Sequence, residues 1–125
     1  MNKLTFILLF LCINLIASER VITLSPSINE IVFALGKGQN IVANTQYSDY
    51  PEESKKVPKV GGYATISLEK IVAFKPTVVI AQNYDEKLLR NLKALGIKTL
   101  IFKTDTIDSI KYTITSLGEY FKAQV

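Results

Sequence analysis

Aromatic hydroxyl side chains are the residues of this chain best suited to hold a ligand. Four of its six tyrosines fall in or beside loops that follow apolar runs, namely Tyr47, Tyr50, Tyr63 and Tyr84. A tyrosine offers a rigid apolar face for a bound molecule and a hydroxyl that can orient it. Any one of them could equally be ordinary surface packing, but four on one predicted rim indicate a binding site. Ser25 and Pro26 follow the first apolar run and belong to the same predicted rim.

The composition narrows the chemistry that the chain can perform. It has no histidine and a single cysteine, which excludes Cys/His metal sites and Ser–His or Cys–His nucleophilic pairs within it. Its 15 basic and 11 acidic residues give a net charge of +4. The lysines are scattered, and their only cluster, Lys55, Lys56 and Lys59, indicates a solvated loop rather than a nucleic-acid partner. The alternative to a binding protein is an enzyme: a small secreted α/β protein that uses a loop carboxylate such as Asp49 in catalysis.

Residues 1–18 have the pattern of an export signal. A positively charged start precedes an apolar run over residues 4–16, and two small residues follow it, as at a signal-peptidase site. The run is shorter than the about 20 apolar residues of a membrane span. A retained anchor or a buried core helix is the alternative interpretation. We expect cleavage to remove Cys12 and to leave residues 19–125 as one small domain in the periplasm.

Short β-branched runs alternate with helical stretches in the rest of the chain. The pattern predicts strands over residues 20–24, 41–43, 77–81 and 97–102. The third of these is continuously apolar, as in strands of parallel sheets that are covered on both faces. Strands separated by single helices predict right-handed crossovers. The expected fold is therefore α/β, a three-layer, Rossmann-like lobe with a parallel sheet.

Capping residues and apolar periodicity predict where the helices lie. Ser27 and Glu30 have the spacing of a capping box, Ser67 precedes a second helix, and Asn83 with Glu86 indicates a third. The last helix carries an apolar stripe at three- and four-residue steps, made of Ile107, Ile110, Ile114, Leu117 and Phe121. We expect this stripe to be left without a packing partner.

Ligands of open α/β sheets bind beyond the carboxyl ends of the strands. The loops at these ends are predicted at residues 25–27, 45–50, 61–65 and 82–84, which include the four tyrosines of the rim. The Gly61–Gly62 pair would let the backbone turn sharply and approach a ligand, although a plain tight turn explains it equally well.

Five short segments, taken in order, resemble the cobalamin- and iron-chelate-binding proteins that serve ABC importers. They are RVITLSPS (20–27), YSDYP (47–51), KVGG (59–62), SLEKI (67–71) and LGIK (95–98). The resemblance implies the N-terminal lobe of a two-lobed periplasmic receptor, with the second lobe absent. It implies binding without catalysis or a cofactor, of a corrinoid or of an iron chelate such as a siderophore or haem. A truncated chain that is non-functional on its own is a further alternative.

The resemblance also implies roles for single residues. Tyr47 matches a ligand-contacting tyrosine of cobalamin-binding members, and Tyr63 lies where those members have a stacking tryptophan. Glu69 matches a glutamate that pairs with arginine on the inner-membrane permease. From the residues alone, Glu69 is an exposed charge in the first turn of a helix, where it favours the helix dipole. The implied partners are therefore a small metal chelate and an ABC permease.

Overall fold

Four short strands form one parallel sheet in the computed structural model, which describes residues 18–82 and 85–123. The strands are β1 (Val21–Thr23), β2 (Ile41–Ala43), β3 (Val78–Ala81) and β4 (Thr99–Ile101). Their order across the sheet is β2-β1-β3-β4, and every neighbouring pair is parallel. This confirms the predicted α/β class. The four strands are short, and the continuous apolar run of β3 is buried at every position, as predicted.

Helices cover both faces of the sheet. They are α1 (Pro26–Ala34), α2 (Leu68–Ala73), α3 (Glu86–Ala94) and α4 (Ile107–Tyr120), and two 3-10 helices span Gly38–Asn40 and Glu52–Lys56. Successive strand residues point to opposite faces of a sheet. Val21 therefore packs with α1 and α4 in one apolar cluster, whereas Ile22 packs with α2 and α3 in the other. The result is the predicted arrangement of three layers.

The start of α1 differs from the predicted capping box. Ser25 is the N-cap residue, Pro26 occupies the first turn and Ser27 lies inside the helix. Proline suits this position because it lacks the N–H that would have no partner there, and its φ is already helical. The Ser27 hydroxyl lies 2.7 Å from the Thr104 hydroxyl instead of capping the helix. The predicted capping box is therefore wrong.

The other helix starts are closer to prediction. Ser67 caps α2, as expected, by accepting a hydrogen bond from the Lys70 N–H. The N-cap of α3 is Asp85, whose carboxylate accepts from the Leu88 N–H at 2.9 Å. The predicted start at Asn83 lies outside the described residues.

The apolar stripe of α4 is packed over its second half, contrary to expectation. Leu117 is fully buried and Phe121 is 9% exposed, and both pack with α1 against the sheet. Ile107, in the first turn, is 73% exposed. The sheet of this chain is therefore the packing partner of the last turns.

The predicted export signal lies outside the described residues except for Ser18. Cleavage there stays a prediction. Within residues 18–82 and 85–123, no helix is long and apolar enough to cross a membrane.

Candidate ligand-binding cleft

A small cleft opens at the carboxyl ends of β1 and β3. The chain continues from β1 to β2 on one side and from β3 to β4 on the other, so these neighbouring strands flank the point where the strand order reverses. Such switch points are where open α/β sheets bind their ligands. Leu24, Ala81 and Leu88 make the inner lining of the cleft apolar, and its volume is about 40 Å³.

Four of the predicted site residues come together around this cleft. Ser25, Pro26, Tyr47 and Tyr63 all line it. Tyr47 is 58% exposed and Tyr63 is 70% exposed. The two rings therefore have large faces open to solvent at the rim, where an apolar or planar ligand could meet them.

The remaining predicted residues lie elsewhere. Tyr50 is 69% exposed and lines a separate groove beside α1, together with Phe33 and Pro51. Tyr84 lies outside the described residues. Glu69 is exposed in the first turn of α2, the position predicted for it, and does not line the cleft.

Two glycines form a tight turn beside the ring of Tyr47. Gly61 has φ +137°, and a Cβ there would lie 2.1 Å from the Thr65 carbonyl oxygen. The Gly62 N–H donates to Thr65 Oγ1 at 3.0 Å. A Cβ on Gly62 would lie 3.4 Å from the Tyr47 ring. Because Tyr63 follows directly, this tight turn sets both tyrosines on the rim of the same cleft.

Buried polar side chains hold the loop that carries Tyr47. Asn44, just after β2, donates from Nδ2 to Asn29 Oδ1 at 3.1 Å and to Ser54 Oγ at 3.0 Å. The Ser54 hydroxyl donates to the Ser48 carbonyl oxygen at 2.7 Å and accepts from Asn29 Nδ2 at 2.8 Å. Asn29, Asn44 and Ser54 are fully buried. Mutually satisfied buried groups fix a loop that lacks strands and α-helices.

No role was predicted from the sequence for these buried residues. Asn29 follows Ile28 and precedes Ile31 and Val32, all of which are buried on α1. A polar residue on an apolar helix face is the signal that could have identified it, because such a residue needs a hydrogen-bonding partner.

A second polar cluster, of which only Ser25 was predicted as a site residue, borders the cleft beside β3. Gln82 lines the cleft, and its Nε2 donates to Ser27 Oγ at 3.1 Å and to Thr104 Oγ1. Ser27 Oγ also lies 2.9 Å from Ser25 Oγ. Gln82 comes directly after β3 and Thr104 shortly after β4. Both residues follow the carboxyl end of a strand, where open α/β sheets bind their ligands, so the rule used for the tyrosines could have identified them too.

The described lining of the cleft is of a kind that suits binding. Its lining combines aromatic faces with hydroxyl and amide groups, which suit an apolar ligand that has a hydrogen-bonding edge. Asp85 also lines it, and its carboxylate caps α3. Asp49, the carboxylate of the enzyme alternative, is exposed and lies outside the lining. The described residues contain no group of three or more His, Cys, Asp or Glu side chains that could hold a metal.

Comparison with known proteins identifies the family. The family model of the periplasmic binding proteins matches residues 21–124. The chain belongs to this family. It is 38% identical over 124 residues to the vitamin B12-binding protein of Vibrio vulnificus (strain CMCP6), a match that covers 96% of this chain and 45% of that protein. The chain spans about half the length of the curated relatives it matches.

Solved structures of the family share the fold described above. The crystal structure of the periplasmic vitamin B12 binding protein of Vibrio cholerae matches with a TM-score of 0.77 and 36% identity, over 82% of this chain and 41% of that one. The periplasmic haem-binding protein from Roseiflexus sp. RS-1 matches with a TM-score of 0.76 and 30% identity, over 84% and 41%. The predicted resemblance is confirmed. The names of these relatives describe periplasmic binding rather than catalysis.

Proposed function

We propose that this chain forms one lobe of the periplasmic binding component of an ABC importer, with a corrinoid or an iron chelate as ligand. The observation that carries this proposal is the pair of exposed tyrosines, Tyr47 and Tyr63, on the rim of an apolar cleft at the switch point of the sheet. The relatives' names support the ligand class, since vitamin B12 and haem are both large metal chelates with a flat macrocycle.

The size of the cleft favours a ligand held mainly against the surface of the lobe. Pockets that enclose a drug-sized molecule measure roughly 300–1,000 Å³, whereas this cleft measures about 40 Å³. A macrocycle would therefore rest on the aromatic rim and send only a small group into the cleft. In this proposal a second lobe covers the opposite face of the ligand.

The rest of the proposal concerns transport. Export through residues 1–18 would place the lobe in the periplasm, where it binds its ligand without changing it. Delivery to the inner-membrane permease would use Glu69, which is exposed on α2 and lies outside the cleft lining. Contact with the permease and contact with the ligand would then take place on separate surfaces.

Titration with candidate ligands tests this function. The native protein, recovered from the periplasm of its own cells, is titrated with cyanocobalamin, haemin and a ferric hydroxamate by visible absorbance and calorimetry. We expect saturable binding of at least one of them. Tyr47→Ala should weaken that binding about tenfold, the equivalent of about 1.4 kcal/mol, because the ligand loses an aromatic face.

Tyr50→Ala is the matched control. Tyr50 belongs to the same loop and is as exposed as the rim tyrosines, but it lies outside the cleft. Its replacement should leave the affinity unchanged. Absence of binding to all three ligands would refute the function, and equal losses in the two variants would refute this cleft as the site.

A further inference from the structure

Lys59 joins the two ends of the loop that carries Tyr47. Its Nζ donates to Asn44 Oδ1 at 2.7 Å and to the Ser54 carbonyl oxygen at 3.0 Å. Asn44 begins the loop after β2, and Ser54 lies in the 3-10 helix near its far end. Asn44 and Ser54 are fully buried. Removing the ammonium would take this donor from the buried Asn44 Oδ1, which is costly away from water. The Ser54 carbonyl oxygen would lose it too but also accepts from the Val57 N–H at 3.2 Å.

Backbone hydrogen bonds connect this bridge to the cleft. The Asn44 carbonyl accepts from the Val60 N–H at 2.9 Å, directly after Lys59. The Gln46 N–H donates to the Gly61 carbonyl at 2.9 Å. The residue before Tyr47 is thereby tied to the glycine turn beside its ring. Any movement of Asn44 would be passed to the tyrosine within three residues.

The bridge needs a side chain with several donors. A lysine ammonium has three N–H groups and can serve both acceptors at once. Partial burial lowers the pKa of Lys59, an effect that the Asp49 carboxylate opposes. A charged group held where it is partly desolvated is unfavourable unless its hydrogen bonds compensate. Lys59 is therefore better explained by its two acceptors than by solubility alone.

We propose that Lys59 is a positioning residue of the ligand-binding cleft, which holds Tyr47 in place by bridging Asn44 and Ser54. The ligand part of this inference rests on the function proposed above. The local part, that Lys59 fixes the loop, depends only on the contacts within the loop.

Hydrogen exchange tests the local part without any ligand. Lys59→Met keeps the aliphatic stem and removes the donors, whereas Lys59→Arg keeps a cation with several N–H groups. We expect Lys59→Met to speed amide exchange at Gln46, Ser48 and Ser54 about tenfold and to leave the β3 amides unchanged. Lys59→Arg should restore much of the protection. Unchanged exchange in the loop, or an equal rise in β3, would overturn the proposal.

A double-mutant cycle with Tyr47→Ala tests the ligand part. Lys59→Met should weaken ligand binding severalfold when Tyr47 is present and cause no further loss in the Tyr47→Ala background. Independent, additive losses would overturn the positioning role. If no ligand binds at all, the function fails, and hydrogen exchange still decides whether Lys59 fixes the loop. Should Lys59→Met fail to fold, Lys59→Gln replaces it in both measurements. Its amide sits on a shorter stem than the ammonium and should not bridge both acceptors, so we expect a smaller rise in exchange at the same loop amides, and unchanged exchange would overturn the proposal.

Discussion

Replacing Gly61 by alanine tests whether the turn beside Tyr47 requires glycine. Its φ of +137° lies in a region that L-residues rarely adopt, and the new Cβ would lie 2.1 Å from the Thr65 carbonyl oxygen. Backbone strain of this kind costs roughly 1–3 kcal/mol. Relieving the overlap would move Thr65 and endanger the Gly62 N–H···Thr65 Oγ1 hydrogen bond, a further loss of about 1 kcal/mol. We therefore expect the free energy of unfolding to fall by about 3 kcal/mol.

Gly96→Ala provides the matched control for that experiment. Gly96 also has a positive φ, +73°, but a Cβ there would meet nothing within 4 Å. Only the left-handed conformation is penalised, by roughly 1–2 kcal/mol. Urea unfolding, followed by circular dichroism, measures the free energy of unfolding of each variant and of the parent protein.

The difference between the two variants isolates the close approach to Thr65. We expect Gly61→Ala to be the more destabilising by about 1–2 kcal/mol. Equal losses would refute the reasoning, because they would show that the backbone of residues 65–66 yields without cost. A variant that binds ligand as the parent does would also contradict the link between this turn and the ring of Tyr47.

Two further predictions concern α4 and the permease surface. Leu117→Ala should lower the free energy of unfolding by about 2–5 kcal/mol because Leu117 is fully buried, whereas Ile107→Ala, at a position 73% exposed, should change it by less than about 0.5 kcal/mol. Similar urea midpoints for the two would contradict the packing of α4 on the sheet. Glu69→Gln should reduce ligand uptake by cells while ligand affinity in solution stays unchanged, and a loss of affinity would contradict a docking role.

The class of fold could be predicted because each signal lies within a few neighbouring residues. The continuous apolar run Val78–Ala81 indicates a strand covered on both faces. Ser67 caps α2, the helix that begins at the next residue. The start of α1 could not be predicted in this way. Ser27 rather than Ser25 has the spacing of a capping box, but its hydroxyl bonds to Thr104, which lies 77 residues further along the chain.

The candidate site could be predicted in part for the same reason. Aromatic type and a position in loops at strand ends nominated Tyr47 and Tyr63, which line the cleft, and the family resemblance implied the same two residues. Tyr50 lies in another groove because of the path of its loop. Buried contacts between residues far apart in the sequence determine that path. Lys59 shows the limit most clearly. The sequence grouped it with two solvated lysines, but its ammonium bonds to acceptors on two buried residues.

In the proposed function, the aromatic rim of the lobe is organised before any ligand binds. Tyr47 and Tyr63 are 58% and 70% exposed, yet the backbone around them is held by the glycine turn and the buried polar network. A backbone held in this way would lose little conformational freedom when a ligand binds, which would favour affinity. An exposed rim above a cleft of about 40 Å³ suits the broad, flat face of a ligand better than a small molecule. The same hydrogen bonds explain why, in this proposal, loop residues outside the cleft, Lys59 first among them, should alter binding.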